Sequence, residues 1–142
     1  MIAPFPFYKP EEYELEAASH SYLMSVIFIT FALPLPIINL IATFVFLIAN
    51  RKSTSFVRWH CIQALLSQFS LFIINSVASI WVVLLIFRVT TINDAFIALL
   101  IVLLIFNVWE FIETVFAAIN TRKGLHVKWL FYGPLTDKIC KL

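Results

Sequence analysis

Charged residues are scarce in this sequence. Aspartate, glutamate, lysine and arginine make up 13% of the 142 residues, whereas hydrophobic residues make up 62% and the mean hydropathy is +0.97. Soluble domains are typically about 45–50% apolar and about 25% charged. A chain of this length cannot bury so much apolar surface in a single aqueous core. The composition therefore excludes an ordinary soluble domain and predicts an integral membrane protein that faces the lipid bilayer.

Glycine and cysteine are equally sparse. Both glycines, Gly124 and Gly133, lie near the C-terminus, so the apolar part has no GxxxG motif and its close helix contacts must use alanine and serine. The two cysteines, Cys61 and Cys140, have neither metal-ligand nor disulfide spacing. The sequence also lacks an HExxH motif, a glycine-rich loop, paired aspartates and a serine with a plausible base. We therefore expect no enzyme, no catalytic residues, no metal site and no cofactor.

The N-terminal segment lacks the basic start and small-residue cleavage site of a signal peptide, and it shows no transit peptide. It is rich in proline and contains four glutamates. We expect an acidic, proline-rich tail over residues 1–18, followed by a transmembrane helical domain over residues 19–120. A basic cytoplasmic tail should then occupy residues 121–142.

Three long apolar blocks cover the middle of the chain. A spanning helix needs about 20 residues, and the first block is too long for one ordinary span. Pro34 and Pro36 lie near its middle, where each removes a backbone donor. The first block is therefore either one sharply kinked helix, giving three spans, or two short helices joined at the Pro-x-Pro break, giving four. In an all-α fold of four hydrophobic helices, the predicted bounds are about 19–33, 36–49, 56–88 and 94–120.

Basic residues cluster at two places that flank the apolar blocks. The loop at residues 51–58 contains Arg51 and Lys52 and has no acid, and the C-terminal tail begins with Arg122 and Lys123. Cytoplasmic loops of membrane proteins carry an excess of lysine and arginine, so both regions are predicted to be cytoplasmic. The N-terminus is outside if the first block spans once and inside if it forms a hairpin. Because these charges flank apolar spans, we do not expect a nucleic acid partner.

Polar residues recur at helical spacing in the second and third blocks. Each set falls on one face of its helix, and both lie toward the predicted cytoplasmic side. Carboxylates in a spanning helix are costly and usually face protein or water. We therefore predict that the two faces meet in a polar collar that contacts a neighbouring helix or a partner. Its predicted members are Arg58, His60, Gln63, Ser67, Asn107, Glu110 and Glu113.

The second block opens with the stretch SFVRWHCIQALLSQ. This stretch resembles the signature of the Tic-twenty family, the small membrane subunit of the chloroplast inner-envelope protein translocon, which has bacterial relatives. The flanking stretches LPLPIINLIATFVFLIAN and GLHVKWLFYGPL are similar to that family's proline-rich break and to the ending of its bacterial members. The residues that carry the central resemblance are Ser55, Phe56, Val57, Arg58, Trp59, His60, Gln63 and Ala64.

The resemblance implies four hydrophobic helices with both termini on the cytoplasmic or stromal side, which favours two short helices in the first block. It also implies a non-catalytic subunit or accessory factor of a protein-translocation assembly, with other membrane proteins as partners in a hetero-complex. One alternative is a small channel or transporter, which would require a homo-oligomer; another is a membrane-complex assembly factor. The expected location is a bacterial inner membrane with a cytoplasmic C-terminus, and an organelle inner envelope is the alternative.

Overall fold

The computed structural model describes residues 2–31 and 36–140, and within these residues helices dominate. The prediction of a helical protein is confirmed, and the only strands described are two segments of two residues each. The elements in chain order are β1 (Ile2–Ala3), α1 (Glu12–Phe31), α2 (Pro36–Ala49), α3 (Ser55–Ile86), α4 (Asp94–Arg122), β2 (His126–Val127) and α5 (Tyr132–Cys140).

The two long helices α3 and α4 have the length and apolar composition needed to cross a membrane. At about 1.5 Å per residue they extend for about 48 Å and about 44 Å, against a hydrocarbon core of about 30 Å. Many of their large apolar side chains point outward: Ile80 is 62% exposed and Leu104 is 66% exposed. Such side chains are stable against lipid but not against water, and the fold is therefore that of a membrane-associated protein.

The first apolar block forms two separate helices. α1 ends at Phe31, and α2 begins at Pro36, the first helical position, where the missing N–H of proline costs no hydrogen bond. Pro34 lies outside the described residues. α2 has 14 residues and extends for about 21 Å, which is shorter than the core of a bilayer. Four spanning helices are thus not confirmed, because only α3 and α4 meet both criteria in the described part of the chain.

The end of α4 determines where the C-terminal segment lies. Gly124 has a φ of +83°, and the N–H of Leu125 donates to the carbonyl of Asn120 at 3.0 Å. This is the Schellman arrangement, in which glycine takes the left-handed conformation without strain. The turn directs β2 back against α4, where β2 pairs antiparallel with β1 and places Ile2 opposite Val127.

The helices pack most closely at the end of the bundle that holds β1, β2 and α5. α1 packs against α2, α3 and α4, and it contacts α3 and α4 more extensively than these two contact each other. The small residues Ala64, Ala117 and Ala118 are buried at this end. They allow α1 to approach closely enough for the Ser19 hydroxyl to donate to the carbonyl of Ala118 at 2.9 Å. Beyond this end α3 and α4 stay in contact along their length, with the rings of Trp81 and Phe96 5.6 Å apart between centroids.

Candidate functional site

A buried polar network lies where α1, the start of α3 and β2 meet. We use this name for Tyr22, His60, Gln63 and His126 together with the backbone after β2. Each of these four side chains is at most 2% exposed. His60 and Gln63 were predicted for the polar collar, and the structure places them here, away from the glutamates of α4. Four polar side chains buried together are stable only if they satisfy one another's hydrogen bonds.

Gln63 is the centre of the network because it binds three groups from two other parts of the chain. Its Oε1 accepts from the backbone N–H of Trp129 at 3.2 Å, and its Nε2 donates to the carbonyl of Val127 at 3.0 Å. Nε2 also donates to the hydroxyl of Tyr22 at 2.8 Å. A backbone N–H can only donate and a carbonyl can only accept, so these two partners fix the orientation of the amide. One side chain of α3 therefore joins the C-terminal segment to α1.

The orientation of the Gln63 amide also determines which ring nitrogen of His60 and of His126 carries the proton. Since Gln63 donates to the oxygen of Tyr22, we assign the Tyr22 hydroxyl as donor to Nδ1 of His60, at 2.8 Å. Nε2 of His60 then carries the proton and donates to Nδ1 of His126, at 3.2 Å. Each histidine is neutral in this arrangement, with its proton on Nε2. The network is thus a single directed chain of hydrogen bonds from α3 through α1 to β2.

The environment of His126 keeps its imidazole neutral. Burial, together with the positive charge of Lys128, lowers the pKa of His126 to about 4, although Asp137 acts in the opposite direction. The ring of His126 packs against the ring of Trp59, with 4.2 Å between the centroids. A proton added to His126 would therefore enter a buried site beside another cation, so the folded state binds it poorly.

Asp137 ties α5 to the start of α3. Its two carboxylate oxygens accept from Nε1 of Trp59 and from Nζ of Lys128, both at 2.8 Å. Burial raises the pKa of Asp137, but the two hydrogen bonds and the positive charge of Lys128 outweigh that effect and hold it below its usual value. The carboxylate is therefore the stable form at neutral pH, and it holds the buried polar network closed on the side of α5.

A second set of polar contacts joins α3 to α4 near the middle of both helices. The Ser67 hydroxyl donates to Oε1 of Glu110. Asn75 and Asn107 exchange two hydrogen bonds, of 3.1 Å and 2.9 Å. Of these residues, Ser67, Asn107 and Glu110 were predicted for the polar collar, and the structure brings Ser67 and Glu110 together. Interhelical hydrogen bonds of this kind contribute about 0.6–2 kcal/mol in membranes.

A cavity of about 820 Å³ opens between α3 and α4 beside these contacts, and we call it the mid-depth cleft. Its lining is mostly apolar but includes several polar side chains, and we call these polar lining residues the floor of the cleft. Gln68 lies on this floor and is 4% exposed. The polar lining residues are Asn39, Gln68, Asn75, Ser79, Asn107, Glu110 and Thr114.

Arg58 and Glu113, the remaining predicted members of the collar, lie apart from both sets of contacts. Arg58 is exposed and Glu113 is half-buried, and neither side chain forms a hydrogen bond or ion pair with a described residue. Of the four predicted topology anchors, Arg122 forms an ion pair with Glu16 at 3.3 Å, on the surface. The other three anchors are also exposed, and they are Arg51, Lys52 and Lys123.

Sequence reasoning missed Tyr22, His126, Trp129 and Asp137. The three histidines are far apart in the sequence, and nothing local indicates that two of them meet. The one available signal was the position of His126 two residues after the helix stop at Gly124, because such a stop turns the chain back on itself. Among the described residues, no group of three histidine, cysteine, aspartate or glutamate side chains is placed to hold a metal ion.

These features define a class: a small helical membrane protein with two long apolar helices, a buried polar network at one end and a polar cleft at mid-depth. A model of the magnetosome magnetite crystal formation protein family, MamF/MmsF, matches residues 17–136. The chain belongs to that family. The comparisons with curated proteins and with solved structures gave no match.

Membership of this family corrects the resemblance to the Tic-twenty family, which is wrong. The expected role in protein translocation is wrong with it, and the two alternatives, a small channel or transporter and a membrane-complex assembly factor, are left without support. The resemblance was misleading because the features of the stretch SFVRWHCIQALLSQ are common to many membrane proteins. A hydroxyl residue near a helix start, a basic anchor such as Arg58 and an interfacial aromatic such as Trp59 are common wherever a helix enters a membrane. The match over residues 17–136 carries far more information than this stretch.

Proposed function

We propose that this chain is a non-catalytic membrane protein of the magnetosome that takes part in the formation of magnetite crystals. The observation that carries the proposal is the extent of the family match, residues 17–136. This range contains most of α1 and all of α2, α3, α4 and β2. It therefore includes the buried polar network and the mid-depth cleft, and the role in crystal formation is assigned to this membrane domain as a whole.

We further propose a multi-pass arrangement in a bacterial membrane, in which α1 and α2 form a short hairpin beside α3 and α4. The pairing of β1 with β2 and the ion pair between Arg122 and Glu16 support it, because both bring the N-terminal segment to the end where α4 finishes. The basic residues at positions 51, 52, 122 and 123 lie at that same end, which favours the cytoplasmic side. The turn between α3 and α4 then faces the opposite side of the membrane.

Single cysteines should report this orientation. We expect an impermeant maleimide to label Lys52→Cys, and not Thr90→Cys, in sealed vesicles whose cytoplasmic face is outward, because the two positions lie at opposite ends of α3. Both variants are made in a chain in which Cys61 and Cys140 are replaced by serine. Vesicles of the opposite orientation serve as the control and should reverse the pattern. Equal labelling of both positions in one type of vesicle would rule out the arrangement.

Loss of the chain should change the crystals. We expect deletion from a magnetite-forming host to shift the size distribution of its magnetite crystals in electron micrographs, and re-expression of the chain to restore it. Re-expressed Ser76→Ala is a control that should also restore the crystals, since Ser76 does not line the mid-depth cleft and its hydroxyl donates within α3, to the carbonyl of Phe72 at 2.6 Å. Crystals that keep their size and shape after deletion would refute the proposed function.

A further inference from the structure

The mid-depth cleft is long and narrow. Its lining on α3 extends from Gln68 to Val83, about 22 Å at about 1.5 Å per residue, and its lining on α4 extends from Leu100 to Thr114, about 21 Å. The cleft therefore runs parallel to the helices over more than half of a hydrocarbon core of about 30 Å. Exposed neighbours such as Leu104 show that it opens sideways. An elongated occupant, either a lipid tail or a helix, would fit this shape.

The floor of the cleft offers hydrogen bonds that the chain itself does not use. Gln68 is 4% exposed and Thr114 is 3% exposed, and neither side chain forms a hydrogen bond with a described residue. By contrast, Asn75 and Asn107 satisfy each other. A buried polar group without a partner costs about 1–3 kcal/mol, and an acyl chain can neither donate nor accept. The unused amide of Gln68 therefore favours an occupant that brings a polar group to mid-depth.

The charge of the cleft indicates which polar group fits. Glu110 accepts a hydrogen bond from Ser67. The two ion pairs among the described residues lie away from it, at the end of the bundle that holds β2. They join Arg122 to Glu16 and Lys128 to Asp137. Acidic residues inside membranes usually pair with basic residues or with other polar partners. A lysine or arginine side chain would supply donors to both the carboxylate of Glu110 and the amide oxygen of Gln68.

The sequence excludes a second copy of this chain as the source of that basic group. Residues 61–87 and 89–121 contain no lysine, arginine or histidine, and residues 21–50 contain none either. The basic residues of the chain thus lie near the ends of the apolar blocks, too far along the helix axis to reach mid-depth in a neighbouring copy. The occupant that the cleft fits must come from a different protein.

We propose that the mid-depth cleft binds a transmembrane helix of another protein through a lysine or arginine side chain that reaches Glu110 and Gln68. The inference rests on the proposed membrane position of α3 and α4, and it goes beyond the proposed role in crystal formation by giving the chain a partner of defined chemistry. The apolar lining would pack against the partner helix, and the polar floor would fix its depth and register. Recognition by one buried charge also makes the contact selective, because a purely apolar helix leaves the floor unsatisfied.

A designed peptide provides the probe. The purified full-length chain is placed in lipid vesicles with a labelled leucine-rich transmembrane peptide that has one lysine at its centre, and binding is measured by energy transfer. The matched peptides have leucine or asparagine at that position. We expect the lysine peptide to bind about tenfold more tightly than the leucine peptide, a difference of about 1.4 kcal/mol. The asparagine peptide should fall between the two.

Two variants locate the contact. Both variants should fold, because Glu110→Gln keeps an acceptor for Ser67 and Gln68→Leu removes no hydrogen bond among the described residues. Each variant should lose most of the preference for the lysine peptide over the leucine peptide. The proposal is overturned if wild-type chain binds the lysine and leucine peptides equally, which would leave lipid in the cleft. It is also overturned if the preference survives in both variants, or if labelled copies of the chain occupy the cleft instead. None of these readouts depends on crystal formation, so failure here is distinct from failure of the proposed function.

Discussion

Replacing Gln63 with leucine should detach the segment after α4 from α1 and α3. The variant leaves the N–H of Trp129, the carbonyl of Val127 and the hydroxyl of Tyr22 without the partner they share. The hydroxyl of Tyr22 keeps its hydrogen bond to His60, so two buried groups are left unsatisfied. At about 1–3 kcal/mol each, the loss should be roughly 2–6 kcal/mol. Because folded proteins are stable by only about 5–15 kcal/mol, this is a large fraction of the total. Unfolding in detergent, followed by tryptophan fluorescence, measures the loss.

Gln68→Leu is the matched control, because it makes the same chemical change on the same helix. The side chain of Gln68 is buried and forms no hydrogen bond with a described residue, so its replacement by leucine should not lower the free energy of unfolding and should raise it by up to about 1–3 kcal/mol. Limited proteolysis after Gly124 gives an independent readout: Gln63→Leu should be cut faster than wild type, and Gln68→Leu should not. Equal stability of the two variants would contradict the central position of Gln63.

Lowering the pH from about 6.5 to about 4 should loosen the same end of the bundle. His126 has a pKa of about 4 in the folded chain, against an ordinary value of 6.5 for an unburied histidine. The unfolded chain thus binds the proton more readily, so stability is complete above pH 6.5 and is lost as the pH falls toward 4. This difference in the pKa of His126 corresponds to as much as about 3 kcal/mol of the free energy of unfolding. The titratable groups that face His126 are His60, Lys128 and Asp137. Because His60 and His126 share a hydrogen bond, the loss of stability reports the protonation of the two histidines together.

His126→Asn separates this effect from general acid denaturation. The oxygen of asparagine can take the place of Nδ1 as acceptor for His60, but asparagine does not titrate. Because His60 stays buried in the variant, we expect the variant to lose some stability between pH 6.5 and pH 4 in the same fluorescence assay, but clearly less than wild type. Asp137 does not obscure the step, because its pKa is held below its usual value and it stays ionised down to more acidic pH. A decline of the same size in both proteins would assign the acid sensitivity to another group.

The sequence was sufficient for the two long helices because their signals are local. The helices predicted at about 56–88 and 94–120 are observed as α3 (Ser55–Ile86) and α4 (Asp94–Arg122). A continuous apolar run determines each helix, and short-range chemistry determines its ends: Asn93 caps α4 by accepting from the N–H of Phe96 at 2.9 Å. For the first block, proline chemistry left one kinked helix and two short helices as alternatives, and the described residues there form two helices, α1 and α2.

The buried polar network could not be predicted from the sequence, because its contacts join residues that are far apart along the chain. Helical spacing correctly put His60 and Gln63 on one face, but it could not say what that face meets. Tyr22 lies 38 residues from His60, and Trp129 lies 66 residues from Gln63. No periodic pattern connects such pairs. Ser67 and Glu110, 43 residues apart, were matched only because an antiparallel hairpin puts them at similar depths.

The position of Gln63 also has a consequence for the order of synthesis. α3 leaves the ribosome long before two of the three residues that Gln63 binds, since Val127 follows Gln63 by 64 residues and Trp129 follows it by 66. At about 5–20 residues per second this delay is roughly 3–13 s. During that interval Gln63 and His60 can bind Tyr22, which is made before them, but not their partners in the segment after α4. β1, made first of all, also lacks its partner strand β2. The helices can insert in turn, but this end of the protein closes only when translation of the last segment is complete.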